Sequence, residues 1–182
     1  MKKTIAAIAI TLALAGSAFA QEPTYEQTQK WVVDKISTNA GSGDVYSTTY
    51  EQVSMDNCSL NFTKVSFLAR FTTIPASTTI YAEVVPLAKI ISVEIVSSNA
   101  IQHPSNKEYR VILHATDKEI KADVTDKDEQ GNISSKKVWV GDKTSIVFGN
   151  HSDTDADMAA RMHKALSHAV DLCKKNPPKE VF

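Results

Sequence analysis

The sequence predicts an α+β domain: a short N-terminal helix, a strongly curved antiparallel sheet or partly open barrel of about seven strands, and a C-terminal capping helix. Three observations carry this expectation. A T-x-x-Q capping box at Thr24–Gln27 opens a helical stripe. From residue 45 to 149, β-branched and aromatic residues alternate with polar ones between Pro, Gly, Asn and Asp breaks, with no helical pattern separating the runs. From Met158 to Cys173 the apolar residues return to a helical period. Strands that follow one another without intervening helices favour an antiparallel meander over βαβ units.

The chain has 182 residues, a formal net charge of −1 and 42% hydrophobic residues, the balance of a single globular domain. Lys and Arg are not clustered, which argues against a nucleic-acid partner, since phosphate neutralisation needs concentrated positive charge. Residues 1–20 read as a cleaved Sec signal peptide: Lys2 and Lys3, an apolar run from Ile5 to Ala15, and Ala18 and Ala20 before Gln21. This leader resembles that of Gram-negative exported proteins. The run is shorter than the roughly 20 residues a membrane span needs, so no membrane span is expected. The expected location is periplasmic or secreted, with residues 21–182 as one mature domain. Loss of Lys2 and Lys3 takes the 20 basic residues to 18 against 21 acidic ones, or −3.

The N-terminal helix is expected over 24–38, with Tyr25, Val32, Val33 and Ile36 on one side and Asn39, Gly41 and Gly43 ending it. Trp31 lies off that stripe, so it is either partly exposed or packed on a second surface. In the meander over 45–149 the strands are expected at Tyr46–Val53, Ser59–Phe71, Thr79–Val85, Ile90–Val96, Tyr109–Ala115, a ragged pair of Ile120–Val124 with Lys137–Val140, and Ser145–Phe148. In the second run the apolar phase shifts from Leu60 and Phe62 to Val65, Phe67 and Ala69, which predicts a bulge near Thr63 and Lys64. The terminal helix is expected over 153–175. Met158, Met162, Ala165, Leu166, Ala169, Val170, Leu172 and Cys173 form its apolar arc, Asp153, Asp155 and Asp157 favour its N-terminal dipole, and Asn176, Pro177 and Pro178 stop it.

Seven antiparallel strands followed by one amphipathic helix resemble the pleckstrin-homology-like fold. Val85-Pro86-Leu87-Ala88-Lys89-Ile90 looks like the corner before a middle strand of such domains. Met158–Cys173, with Lys164, Ala165, Leu166, His168, Ala169 and Leu172, looks like the terminal helix of uncharacterised secreted bacterial proteins with this barrel. The resemblance implies a fold and no reaction. Phosphoinositide binding by family members uses a basic loop between early strands; residues 57–76 offer only Lys64 and Arg70, so it is not carried over.

Cys58 and Cys173 are the only cysteines, and in an oxidising compartment an even pair predicts a disulfide; two separate buried thiols are the alternative. Asp126-Lys127-Asp128-Glu129-Gln130-Gly131-Asn132-Ile133 mimics the start of an EF-hand loop, but Lys137 occupies the place of the bidentate Glu, so a hairpin turn is expected. His151, Asp153, Asp155 and Asp157, with His163 and His168, could be a metal cluster. His163 and His168 are five residues apart, on opposite flanks of the helix, and capping explains the acids, so no metal is assigned. His114 reads as a solvated sheet position. Ser42 between Gly41 and Gly43 lacks the G-x-S-x-G context of a nucleophile elbow and reads as a loop residue. No phosphate or dinucleotide fingerprint occurs, and no cofactor or catalytic residue is nominated.

The leading expectation is a non-enzymatic binding or interaction module of the bacterial cell envelope, its partner an envelope protein or a small ligand. A carrier of small apolar ligands, with the terminal helix as lid over a hollow sheet, is the alternative. That carrier requires a cavity among Phe62, Phe67, Ile95, Leu113 and Leu166. A hydrolase built on His151, Ser152 and Asp153 is third.

Overall fold

The structure is a computed structural model, and it describes residues 22–43, 46–69, 75–99, 107–149 and 154–177. The expected leader, His151, Ser152, Asp153 and Arg70 lie outside these residues. Helix α1 spans Tyr25–Asn39, and its capping box forms as expected: Thr24 Oγ1 accepts from the Gln27 N–H, and Gln27 Oε1 accepts from the Thr24 N–H. Val32 and Ile36 are fully buried, while Tyr25 and Val33 pack at the margin of the core.

The sheet has nine strands, two more than expected: β1 Gly41–Gly43, β2 Tyr46–Asp56, β3 Ser59–Leu68, β4 Ser77–Pro86, β5 Ile90–Asn99, β6 Lys107–Ala115, β7 Ile120–Lys127, β8 Ile133–Gly141 and β9 Lys143–Gly149. Their spatial order is β5-β6-β9-β1-β2-β3-β4-β7-β8. The ragged pair of the sequence reading is a regular hairpin, β7–β8. Gly41–Gly43, expected to be loop, forms a short strand antiparallel to β2 and parallel to β9, so the sheet is mixed. Glycine and serine carry no apolar signal, and pairing with neighbours on both sides makes this strand.

The sheet curls because consecutive strands turn from one half of the order into the other at a shared corner. Strand β4 reaches β5 through a 3-10 turn at Leu87–Lys89, β6 reaches β7 through residues 116–119, and β8 reaches β9 through Asp142. The corners bond to each other and to the β2–β3 tip: Thr116 N–H to Lys89 O (3.1 Å), Ala115 N–H to Asp142 O (2.7 Å) and Leu87 N–H to Cys58 O (2.8 Å). Edges β5 and β8 do not meet, which leaves a half-barrel.

Strand β3 pairs with β4 without interruption, so the bulge is not in β3. It sits across the ladder in β2, between Glu51 and Ser54, where Gln52 takes φ +50°. The phase shift at Thr63 and Lys64 has a different cause: Lys64 continues the concave side of Leu60 and Phe62, and Val65 and Phe67 look outward. Phe67 is 44% exposed and Ile95 41%, so neither belongs to the core expected of them. Where β1 ends, the β2 side chain Tyr50 spans the gap to β9. Its hydroxyl accepts from the Val147 N–H (3.0 Å) and donates to Ser145 O (3.2 Å). Burial pushes that phenol well above its ordinary range.

Helix α2, Asp155–Lys175, lays its apolar arc on β5, β6 and β9 and against α1. Met162, Leu166, Ala169, Val170 and Cys173 are buried in the same core as Phe62, Leu113, Ile146 and Phe148. Cys58 and Cys173 are joined, with their Cα atoms 5.6 Å apart. Cys58 is the second residue of a two-residue hairpin loop, and both Asn57 (φ +43°) and Cys58 (φ +60°) take left-handed backbone, the requirement of a type I′ turn. A non-glycine residue is strained there, and two contacts hold it: the disulfide, and its N–H donated to the Tyr25 hydroxyl (3.2 Å). The bridge thus pins three elements at one point: the hairpin tip, the start of α1 and the last turn of α2. It closes a separation of 115 residues, for which chain entropy corresponds to roughly 5 kcal/mol before any native-state strain is subtracted. Replacing both cysteines by alanine is therefore expected to lower unfolding free energy by about 3–4 kcal/mol in urea titrations; a loss below about 1 kcal/mol would mean the ends are held by packing alone.

Candidate functional site

The sequence-level candidates resolve as structural parts. Strand β7 ends at Lys127 and β8 starts at Ile133, with a hairpin turn between them. The Asp128 carboxylate accepts from the Gln130 and Asn132 N–H groups (3.0 and 2.8 Å), and Gly131 takes φ +83°. The Asp126 carboxylate accepts from Ser135 (2.6 Å) and Thr79 (2.9 Å), and those hydroxyls hold it below its ordinary 3.8. Both carboxylates are occupied by hairpin contacts. His163 Nε2 bonds the Val93 carbonyl (3.0 Å) and His168 Nε2 the Pro23 carbonyl (2.7 Å), so the two rings serve different elements. No group of three metal-ligating side chains occurs among the described residues. His114 is half-exposed on β6, paired with Glu94 (2.8 Å). Ser42 is a buried residue of β1, not of a loop.

Besides an open cavity of about 700 Å³ between α1 and β2, two cavities gather charged and aromatic side chains. The first, about 310 Å³, lies on the concave side of the curl, where Lys64, Tyr81, Glu83 and Trp139 face Arg110, Ile112, Lys143 and Ser145. Strand parity puts them there: Lys64, Tyr81, Val124 and Lys137 are successive cross-strand neighbours on one face, and Phe62, Glu83, Ala122 and Trp139 form the next row. Glu83 is 3% exposed. One of its oxygens takes the Lys64 ammonium (2.6 Å) and the other the Thr144 hydroxyl. Lys64 also stands over the Tyr81 ring, 4.7 Å from its centre. Burial, and secondarily the Asp126 charge, raises the Tyr81 phenol. The Trp139 indole lies against Gly141, where any Cβ would collide with the ring, so a glycine is required at the end of β8. The polar atoms of Lys64, Glu83 and Thr144 are spent on each other.

The second cavity, about 620 Å³, is an open groove between the two helices. Residues 161, 164, 165 and 168 recur at i, i+3, i+4 and i+7, so Arg161, Lys164, Ala165 and His168 form one stripe along α2, beside its buried arc. Pro23, Gln27, Thr28 and Trp31 line the α1 side. The helices run antiparallel, with Pro23 at His168 and Trp31 at Arg161. The Arg161 guanidinium stands over the Trp31 indole, 5.3 Å from its centre. No lining residue is acidic, and neither Arg161 nor Lys164 makes an ion pair among the described residues. Thr28 is 4% exposed, and its hydroxyl has no hydrogen-bond partner among the described residues.

Trp31 thus packs on a second surface, one of the two placements open to it from sequence. Thr28, Arg161 and Lys164 were not legible as a site. The available signal was the basic stripe flanking the apolar arc of α2, which by itself is indistinguishable from a solvated helix face. Comparisons with protein-family models, curated proteins and solved structures give no match.

The buried pair generates a direct test. Glu83→Gln leaves a largely buried ammonium without its counter-charge and is expected to cost about 3 kcal/mol, whereas Lys64→Met with Glu83→Met is expected to come within about 1 kcal/mol of the parent. Urea midpoints of the two variants decide it; equal losses would show that the pair is not coupled.

Proposed function

We propose that this chain is an exported, non-enzymatic binding module of the bacterial cell envelope whose ligand site is the groove between α1 and α2. The single observation that carries the reading is the combination found there. A 620 Å³ groove with an apolar aromatic wall and, among the described residues, two unpaired cations at its rim has both the size and the few convergent polar groups of a small-ligand site. The concave cavity supports it less well, because its Glu83, Lys64 and Thr144 already satisfy each other. Periplasmic or secreted location is part of the same proposal, supported by the leader-like residues 1–20 and by the Cys58–Cys173 bridge.

The carrier with a helix lid finds less support. The α2 arc rests on filled core: Phe62, Leu113, Met162 and Leu166 are all buried together. A ligand held beside α2, in the groove, needs no lid movement.

The neutral fluorophore N-phenyl-1-naphthylamine probes the site. Its emission is expected to rise on titration into the parent protein and to fall at least tenfold in apparent affinity when Ala165→Trp fills the groove, with the melting temperature unchanged. Equal binding by the filled variant, or none by the parent, would overturn the assignment.

A further inference from the structure

We infer that the groove is selective for a monocarboxylate with a linear apolar body, of the size of a medium-chain fatty acid; this rests on the groove being the ligand site. Three features of the groove converge on that chemistry.

Its charge is of one sign. Arg161 and Lys164 stand one turn apart on the same side of α2, and no acid lines the groove to neutralise them. Both side chains are exposed at the rim, so a carboxylate can reach them without being taken fully out of water. Charge-assisted bonds of that kind are the stronger class of hydrogen bond.

The body of the groove is apolar. Trp31, Ala165 and Pro23 supply ring, methyl and pyrrolidine surface. Arg161 already covers one side of the Trp31 indole, which orients the guanidinium while leaving donors to spend.

Its length is limited. From Arg161 to His168 the α2 wall advances by seven residues, about 10 Å at 1.5 Å each. An extended chain of eight to ten carbons is of about that length. Beyond it, Pro23 and His168 are tied to each other through the ring nitrogen and the carbonyl, which closes that end.

The inference is tested by isothermal titration of the full mature chain with decanoate and, separately, with decanol. Decanoate is expected to bind at least tenfold tighter. Lys164→Met with Arg161→Met is expected to bring decanoate down to the affinity of decanol while leaving decanol itself within about twofold. Decanoate and decanol binding equally to a protein that still takes up N-phenyl-1-naphthylamine would overturn the carboxylate selectivity and leave the groove as a site. Failure of all three probes to bind would remove both.

Discussion

The structure depends on the burial of one stripe of α2 against β5, β6 and β9. Met162, Leu166, Ala169 and Cys173 recur at intervals of three and four residues and are all fully buried. Each large aliphatic side chain contributes about 1.5–3 kcal/mol when removed from water. Without that contact the half-barrel would expose Val111, Leu113, Ile146 and Phe148. Helix α1 completes the layer through Val32 and Ile36. The disulfide then anchors the far end of α2 to the β2–β3 tip, so the two helices are held side by side by packing along their length and by a covalent bond at one end. The groove is the seam left between them.

The same arrangement explains why the two cavities differ in character. On the concave side, curling brings strands from opposite halves of the sheet together, and inward charges meet partners there: Lys64 finds Glu83, and Glu83 finds Thr144. In this cluster both carboxylate oxygens of Glu83 are taken within the sheet. Between the helices, Arg161 and Lys164 are exposed, and the Arg161 guanidinium stands over the Trp31 ring.

Much of the frame was legible in the sequence, for physical reasons that can be named. Helix periods are strong signals over long segments, so Met158–Cys173 was placed correctly, and the capping box at Thr24 located α1 to within a residue. The corner at Val85–Ile90 is visible because Pro86 interrupts an apolar run. The cysteine pair followed from number and compartment. The rest was hidden by short-range ambiguity. Gly41–Gly43 becomes a strand only because β2 and β9 flank it. The bulge was assigned to β3 from its apolar phase, whereas the irregularity lies in β2 at Gln52, where a polar sequence gives no warning. Phe67 follows strand alternation onto the outer surface, whereas Ile95 lies opposite buried Val111 on the edge strand β5 and is left 41% exposed, a loss of cover that its apolar character does not announce. The groove was invisible because Thr28, Trp31, Arg161 and Lys164 belong to helices separated by the entire sheet, and only their antiparallel packing brings them together.

The most direct test of this account is native-state hydrogen exchange on the oxidised protein. Opening free energies for the amides of Met162, Leu166 and Ala169 are predicted to equal those of Val111 and Leu113 in β6, because helix and sheet would then be one cooperative unit. Exchange of the α2 amides through a much cheaper opening, while β6 stays protected, would contradict it and leave α2 as an appendage to an independently stable sheet.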